Sequence, residues 1–368
     1  MSHAKEQLLG WVRLVLTPGI GPVIGRKLVR AAGDIERLWR LSDTRLRSVA
    51  GIGPVLLAAM RRSSAEEARH RLDAWERSGL IVLSPDDERY PVRLAALDDA
   101  PLILFATGYP SVLNGPKMLA MVGSRKASRE SRLLTYRWAR YFCRQDVTIV
   151  SGMAAGVDWA AHSGALQEGT TVAVLGFGLQ SEVSEEQQRM IKRIREHGCV
   201  ISECLPEQAA RPEHFPRRNR IIAGISDGVV VMAADRRSGA LITAQQAANY
   251  GREVMAVPGN VLGRSHEGCH RLIREGALLV ENPGQCMQNM GWQTAGRPVK
   301  QAYLPGNEQE RQVLLALSQG PLAMDALSET CGLTIPELSS ILLALELQGV
   351  VERLPGSRYL LNVELKDS

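Results

Sequence analysis

Aromatic residues are scarce, at 5% of the 368 residues, and no apolar run approaches the roughly 18 residues that a membrane-spanning helix needs. The N-terminus lacks the apolar core and small-residue cleavage site of a secretory signal. The six cysteines are scattered without a CxxC pair, which indicates neither a zinc site nor a disulfide framework. The sequence therefore predicts a cytoplasmic protein without a structural metal.

Several signatures of nucleotide and hydrolase chemistry are also missing. The stretch GFGLQS at 176–181 has two glycines of a dinucleotide-binding GxGxxG but serine in place of the third. The sequence contains no GxxxxGK[ST] phosphate loop, no GxSxG nucleophile elbow and no HExxH metal motif. A conventional dinucleotide enzyme, a P-loop ATPase, a serine hydrolase and a zinc protease are therefore all disfavoured.

The charge is positive but uneven. The formal net charge of +5 permits a polyanionic partner without proving one. Residues 1–90 carry 15 Lys or Arg against 11 Asp or Glu, whereas residues 308–361 carry 3 against 7. A nucleic-acid surface should therefore lie outside the last segment.

At this length we expect two or three domains. Residues 1–79 form the first, a helical domain with two similar pieces, PGIGPVIGRKLV at 18–29 and AGIGPVLLAAM at 50–60. Gly-Ile-Gly-Pro before an apolar helical stretch is typical of a helix–hairpin–helix. Such a hairpin either holds a phosphate on free helix amides or only connects packed helices, and the sequence leaves both interpretations open.

Residues 80–282 alternate short β-branched runs with longer helical ones. The runs are MLAMVG at 118, VTIVSG at 147, TVAVLG at 171, CVIS at 199, VVVMAA at 229, EVMAVPG at 253 and LLV at 278. Near-continuous apolar strands separated by helices predict an α/β fold with a Rossmann-like, doubly wound parallel sheet. Its ligand site should lie at the carboxyl ends of the strands.

The C-terminal part divides into a linker and a small module. Residues 283–306 show little periodicity, and we assign them to a linker. Residues 307–368 give three helices and a strand–turn–strand, the order of a winged helix. The candidate recognition helix at 335–348 has two glutamates and no Lys or Arg, which disfavours a regulator that reads duplex DNA. We therefore expect this module to contact protein or to form a dimer.

Three of the predicted strands end in turns equipped to hold an anion. Glycine lets the backbone approach, Ser and Thr donate hydroxyls, and each following helix presents free N–H groups and its positive dipole end. The candidates are Gly123, Ser124, Arg125 and Ser128 after the first strand, Ser151 and Gly152 after the second, and Ser238, Gly239 and Thr243 after the fifth. One such turn is commonly an ordinary capped connection. Three at one sheet edge, with the guanidinium fork of Arg125, predict a phosphate site.

The stretch HFPRRNRIIAG at 214–224 adds a cluster of cations. Arg217, Arg218 and Arg220 surround Asn219, and the stretch then runs into what we expect to be an apolar Ile-Ile-Ala-Gly turn. The cations should therefore be held near a packed surface, and we assign all four residues to the same site.

An acid–base pair is the alternative use of this region. Asp158 and His162 lie four apart on a predicted helix, and Glu203 ends another strand. We favour a helix-start aspartate that caps and a histidine that packs or hydrogen-bonds locally.

Five stretches resemble, in order and spacing, the DNA-processing protein A family, also called Smf. They are AMVGSRKAS, TIVSGMAAGVDWAAHSGALQEGTTVAVLGFGL, FPRRNRIIAGIS, SGALITAQQAANYGREVMAVPG and EGCHRLIREGALLV, within residues 80–282. The flanking modules agree with that family's frequent helical SAM-like N-terminal domain and winged-helix C-terminal domain.

The resemblance implies a cytoplasmic protein of bacterial natural transformation. Such a protein binds and protects incoming single-stranded DNA and helps load the recombinase RecA, without catalysis, metal or nucleotide cofactor. It forms a homodimer through the Rossmann-like domain and needs no membrane. The family's DNA pocket falls here on Gly123, Ser124, Arg125, Arg218, Asn219, Arg220 and the SGALITA turn. Phe177 and Phe215 are the nearest rings for base stacking, so charge should dominate binding.

Two departures from the family pattern stand near this pocket. Ala155 replaces a common arginine, and QSEVSEEQQ stands where a Tyr-Pro is usual, so one cation and one ring are missing. The rival interpretation is a nucleotide-processing enzyme of the phosphoribohydrolase type. Its PGGxGTxxE signature would fall on SGALITA, which has no glutamate.

Overall fold

The structure is a computed structural model that describes residues 3–293, 303, 305–318, 320–348, 350–354 and 358–361. By its internal contacts the chain divides into two compact units, 1–294 and 295–368. The boundary between a helical domain and a sheet domain near residue 80 stays a prediction, because both parts belong to the first unit.

The first unit begins with six helices. They are α1 (His3–Leu16), α2 (Pro22–Ala32), α3 (Ile35–Leu38), α4 (Asp43–Arg47), α5 (Pro54–Arg62) and α6 (Ala65–Arg77). Each Gly-Ile-Gly-Pro piece leads into a helix whose first residue is the proline, Pro22 in α2 and Pro54 in α5. Proline suits this position because its missing N–H would have no partner there.

The two hairpins face each other. A Cβ on Gly19 would lie 2.8 Å from Leu56 Cδ1, and a Cβ on Gly51 would lie 3.9 Å from Ile24. These four positions are equivalent in the two repeats, so the contacts are reciprocal. Both glycines have positive φ, +84° and +100°, which explains why the turns need glycine.

A nine-stranded sheet follows. Its strands are β1 (Ile81–Leu83), β2 (Leu104–Gly108), β3 (Met118–Gly123), β4 (Thr148–Ser151), β5 (Thr171–Leu175), β6 (Cys199–Ser202), β7 (Gly228–Ala233), β8 (Glu253–Ala256) and β9 (Leu278–Leu279). The order is β1-β2-β6-β5-β4-β3-β7-β8-β9, and β3 to β9 are all parallel. β2 pairs antiparallel with β6, and β1 pairs antiparallel with β2. The antiparallel pair extends the predicted parallel sheet.

Helices cover both faces of this sheet. They are α7 (Val92–Ala95), α8 (Arg129–Arg144), α9 (Val157–Glu168), α10 (Glu185–His197), α11 (His214–Ile225), α12 (Ala240–Asn249), α13 (Glu267–Arg274) and α14 (Pro283–Asn289). α8, α9, α10 and α14 pack on one face, and α7, α11, α12 and α13 pack on the other. Short 3-10 turns occur at Pro110–Asn114 and Arg264–His266. The Rossmann-like, doubly wound α/β class is confirmed.

Strand β3 marks the point where the winding reverses. The chain passes from β3 outward through β4 and β5 to β6, and then returns to the other side of β3 as β7. The helices that leave β3 and β7 therefore diverge to opposite faces and open a crevice at the carboxyl ends of these strands.

Two segments are more regular than the sequence indicated. Residues 283–289, assigned to a linker, form α14, whose Cys286 and Met287 are buried against the sheet. Asn282 caps this helix by accepting from Gln285 N at 3.0 Å, a signal that the linker assignment missed. The apolar end of HFPRRNRIIAG is likewise not a turn but the C-terminal half of α11. Much of the remaining assigned linker lies outside the described residues.

The second unit contains α15 (Glu308–Ser318), α16 (Met324–Cys331) and α17 (Ile335–Leu347), with β10 (Leu322–Ala323), β11 (Val351–Leu354) and β12 (Arg358–Leu361). The strands pair in the order β10-β12-β11. Helix α17 begins with a capping box between Thr334 and Glu337. This arrangement confirms the winged helix.

Candidate functional site

The three predicted anion turns meet at one place. β3 pairs with β4 on one side and with β7 on the other, so the turns after these strands are neighbours. Ser124 N donates to Ala233 O at 2.7 Å, and Val157 N donates to Ser124 O at 3.3 Å, which ties the three turns together. A cavity of about 440 Å³ opens between them.

Eight of the predicted residues line this cavity. They are Gly123, Ser124, Arg125, Arg218, Asn219, Ser238, Gly239 and Thr243. Asn219 Nδ2 donates to Gly239 O at 3.3 Å, which joins α11 to the turn after β7. The predicted convergence at the carboxyl edge is therefore present.

Two glycines allow this close approach of backbone. A Cβ on Gly123 would lie 2.5 Å from Val157 Cγ2 and 2.7 Å from Ala233 O. Gly156 has φ +84°, and a Cβ there would lie 2.8 Å from Arg125 O. Any side chain at either position would push the β3 turn away from α9.

The mouth of the cavity carries three exposed cations. Arg125, Lys126 and Arg237 line it, and none of their side chains makes a hydrogen bond or ion pair within the described part of the chain. The Arg125 guanidinium carbon lies 5.1 Å from the centroid of the Phe215 ring. An unpaired cation over an aromatic face offers both a phosphate contact and a stacking surface.

The floor of the cavity is a buried arginine. Arg218 is 6% exposed, and its Nη1 donates to the carbonyl of Gly152, which directly follows β4, and to that of Val174 in β5. Burial lowers the pKa of Arg218 to about 10, although the nearby Asp158 opposes the shift. Burial also raises the pKa of Asp158, although the nearby Arg218 opposes the shift.

The arginine run does not act as one cluster, because α11 is helical through it. Successive residues turn by about 100° around a helix, so Arg218 faces the cavity while Arg220 points to the opposite side. Arg220 Nη2 lies 2.5 Å from Glu203 Oε1, and its side chain is 10% exposed. Arg217 lines two neighbouring hollows instead. Contrary to the expectation of one shared site, Arg217 and Arg220 do not line the cavity with Arg218, and their assignment to DNA binding stays a prediction.

Three other predicted residues have local roles. Ser128 is the N-cap of α8 and accepts from Ser131 N at 3.2 Å. Ser151 is buried and donates to Met121 O at 2.6 Å. Gly152 lies beneath the cavity, where a Cβ would come within 2.6 Å of the Arg218 guanidinium carbon. None of the three is part of the cavity lining.

The residues considered as an acid–base pair all make local contacts. His162 is fully buried, its Nδ1 lies 2.8 Å from Thr171 Oγ1, and burial with the nearby Arg218 lowers its pKa to about 3. The expected local hydrogen bond is confirmed. Asp158 does not cap α9, because the N-cap residue of that helix is Gly156. Instead, the Asp158 carboxylate accepts from Ala154 N at 3.4 Å. Glu203 pairs with Arg220.

Sequence reasoning missed two cations and misjudged one ring. Lys126 follows the Gly-Ser-Arg turn directly and Arg237 precedes Ser238, so their positions were a usable signal. Phe177 is 8% exposed and packs beside α10, which leaves Phe215 as the ring at the cavity. Ala155 is exposed on the loop before α9.

Within residues 3–293, 303 and the described part of the second unit, no helix is long and apolar enough to cross a membrane. The same residues contain no group of three or more His, Cys, Asp or Glu placed to hold a metal ion.

Fold and cavity together define a class of protein, an open α/β protein with a cation-lined crevice at its switch point. The family model for DNA recombination-mediator protein A matches residues 81–291, and that for the DprA winged helix domain matches residues 297–357. This chain belongs to the DNA recombination-mediator protein A family.

Individual relatives agree. Protein Smf of Escherichia coli strain K12 is 34% identical over 365 residues, which cover 94% of each chain. The X-ray structure of DNA processing protein A from Streptococcus pneumoniae superposes with a TM-score of 0.67 at 32% identity, over 76% of this chain and 97% of that one. A structure of DNA processing protein A from Helicobacter pylori gives 0.52 at 26% identity, over 57% of this chain and 95% of that one.

Proposed function

We propose that this protein binds single-stranded DNA in the switch-point cavity and acts as a recombination mediator. The observation that carries the proposal is the pair formed by Arg125 and Phe215 at the cavity mouth. The arginine is exposed, has no hydrogen-bond or ion-pair partner in the described chain, and lies over the ring. A strand offers a phosphate for the first and a base for the second.

The surroundings favour a polynucleotide over a single small anion. The free cations lie on two separate turns, with Arg125 and Lys126 after β3 and Arg237 after β7. The N-termini of α8 and α12 begin beside them. A row of cations along a groove with one ring suits a backbone of repeated phosphates. The Helicobacter pylori relative supports this, since its single-stranded DNA binding mode has been described structurally.

The biological setting is a proposal that rests on family membership. The chain would protect incoming strands and load RecA on them during natural transformation, in the cytoplasm and as a homodimer through the Rossmann-like domain. It would do so without a cofactor.

We also propose that the cavity is not catalytic. His162 is buried and locally hydrogen-bonded, and Glu203 is paired with Arg220. Of the groups considered from the sequence, only Asp158 lines the cavity, and it accepts from Ala154 N beside the buried Arg218. Release of free base from a nucleoside monophosphate by the purified protein would overturn this part.

Fluorescence anisotropy of a labelled single-stranded oligonucleotide across a salt series tests the DNA proposal. We expect tight, salt-steep binding that a duplex competes for poorly, and a loss of about tenfold in Arg125→Ala. Arg193→Ala is the matched control, because it removes one exposed arginine late in α10, towards the amino ends of the strands. Equal binding by Arg125→Ala and the wild type would contradict the proposal.

A further inference from the structure

We propose that the bound strand continues from the switch-point cavity along the carboxyl edge of the sheet to the first Gly-Ile-Gly-Pro hairpin, which forms the far end of the DNA groove. This inference rests on the proposed function. It assigns a binding role to Arg217 and to the hairpin at Gly21–Pro22.

The first observation is a row of three hollows that share their walls. Arg218 lines both the switch-point cavity and a hollow of about 60 Å³ that also contains Leu175 and His214. Arg217 lines that hollow and the next one, of about 210 Å³. The last hollow ends at Gly21 and Pro22. The row therefore follows the carboxyl ends of the strands from β3 past β5 and β6 to the N-terminal helices.

The second observation is an unused cation in the middle of the row. Arg217 is exposed, and no hydrogen bond or ion pair among the described residues involves its side chain. Glu203, which shares both hollows with it, is already paired with Arg220. The positive charge of Arg217 is therefore available to a phosphate.

A third observation is an unsatisfied buried donor. His214 is 7% exposed and lines the connecting hollow. Gln208 Nε2 lies 3.1 Å from its Nε2; with the Gln208 amide nitrogen donating, the neutral ring carries its proton on Nδ1. That Nδ1 is buried and has no hydrogen-bond partner within the described chain. A buried donor without a partner is costly, and an oxygen of a ligand would satisfy it.

The hairpin supplies the matching chemistry at the far end. Pro22 has no N–H, and the first helical hydrogen bond of α2 runs from Gly25 N to Gly21 O at 2.9 Å. Among the described residues, the amides of Val23 and Ile24 therefore have no hydrogen-bond partner, and they lie at the positive end of an 11-residue helix. The second hairpin has the same sequence pattern, but its Gly53 and Pro54 do not line these hollows.

The repeat provides a matched pair of variants. Gly21 and Gly53 have nearly the same backbone, φ −94° and −91° with ψ 177° at both, and a Cβ at either would meet nothing within 4 Å. Aspartate is a favourable N-cap residue, so Gly21→Asp and Gly53→Asp should both fold. Each adds one negative charge to a helix N-terminus, but only Gly21→Asp adds it to the proposed groove.

The experiment measures binding of the full chain to oligonucleotides of about 6 and about 16 nucleotides, spanning the site sizes common for such proteins. We expect Arg217→Ala and Gly21→Asp to weaken binding of the long oligonucleotide about fivefold and to leave binding of the short oligonucleotide unchanged. For the long oligonucleotide, the slope of log affinity against log salt concentration should fall in magnitude by about 0.7 in Arg217→Ala, which is the value for one phosphate contact on a single strand. Gly53→Asp should match the wild type.

The outcomes separate this inference from the proposed function. Suppose that Arg125→Ala weakens binding of both oligonucleotides while Arg217→Ala and Gly21→Asp bind them as the wild type does. The extended groove is then contradicted, and DNA binding in the switch-point cavity is supported. Equal weakening by Gly21→Asp and Gly53→Asp would also overturn the groove, because position would not matter. If the wild type binds neither length, both proposals fail.

Discussion

Arg220 and Glu203 form a largely buried ion pair, with Arg220 Nη2 2.5 Å from Glu203 Oε1, on the side of α11 away from the cavity that Arg218 lines. Their side chains are 10% and 19% exposed. Two arginines separated by one residue therefore serve different purposes, one beneath the candidate DNA site and one in holding α11 against the end of β6.

Arg220→Ala should lower stability rather than affinity. It leaves the Glu203 carboxylate without its partner in a poorly solvated place, and we expect a loss of about 3 kcal/mol in the free energy of unfolding. Urea denaturation measures this. The double variant Arg220→Ala/Glu203→Ala should recover part of the loss. Affinity of the folded variants for an oligonucleotide of about 6 nucleotides, which the switch-point cavity would hold alone, should stay within about twofold. A large affinity loss with normal stability would contradict this assignment.

The ring of Phe215 should contribute stacking that salt does not screen. Phe215→Leu should weaken binding of a single strand about tenfold, a typical value for the loss of one base–aromatic stack. Phe215→Tyr keeps the ring and should bind as the wild type does. Because no charge changes, the slope of affinity against salt should be the same in all three proteins. Anisotropy over a salt series checks both points.

The buried His162 should make the protein acid-sensitive. Its pKa is about 3 in the folded protein, because of burial, and about 6.5 when unfolded, so only the unfolded chain takes up a proton between these values. Stability from this group is therefore complete above pH 6.5 and is lost as pH falls towards 3.

The expected loss between pH 6.5 and 4.5 is about 2 kcal/mol. His162→Asn keeps a donor near Thr171 but cannot titrate. Between pH 6.5 and 4.5, the free energy of unfolding of this variant should therefore fall by about 2 kcal/mol less than that of the wild type. Urea denaturation at several pH values compares the two proteins. Parallel curves would show that this histidine does not carry the effect.

Gly156 should tolerate no side chain. Gly156→Ala places a Cβ at φ +84° against the backbone of Ser124 and Arg125, and we expect a loss of about 2 kcal/mol or more in unfolding free energy. Gly239→Ala is the control, because φ there is −60° and a Cβ would meet nothing within 4 Å. Thermal unfolding of both variants tests the difference. Equal melting temperatures would contradict it.

Local sequence was sufficient for the seven parallel strands β3 to β9 and their turns, but not for β1 and β2. Apolar β-branched runs that end in glycine or another small residue specify buried parallel strands, and alternation with helices specifies double winding. The turns at Gly123 and Gly239 could be placed at the binding edge for that reason. Lys126 and Arg237 could have been added by the same logic, since each adjoins a turn already chosen.

The identity of the family was also contained in the sequence, because five motifs in fixed order depend only on residue types and spacing. The direction of each arginine in HFPRRNRIIAG was decided by the tertiary structure. Once the segment is a helix, residues one and two apart point to different sides, and burial then pairs Arg220 with a carboxylate from another strand. The row of hollows from Arg218 to Gly21 was likewise decided by the tertiary structure. Its walls come from segments nearly 200 residues apart that only folding brings together.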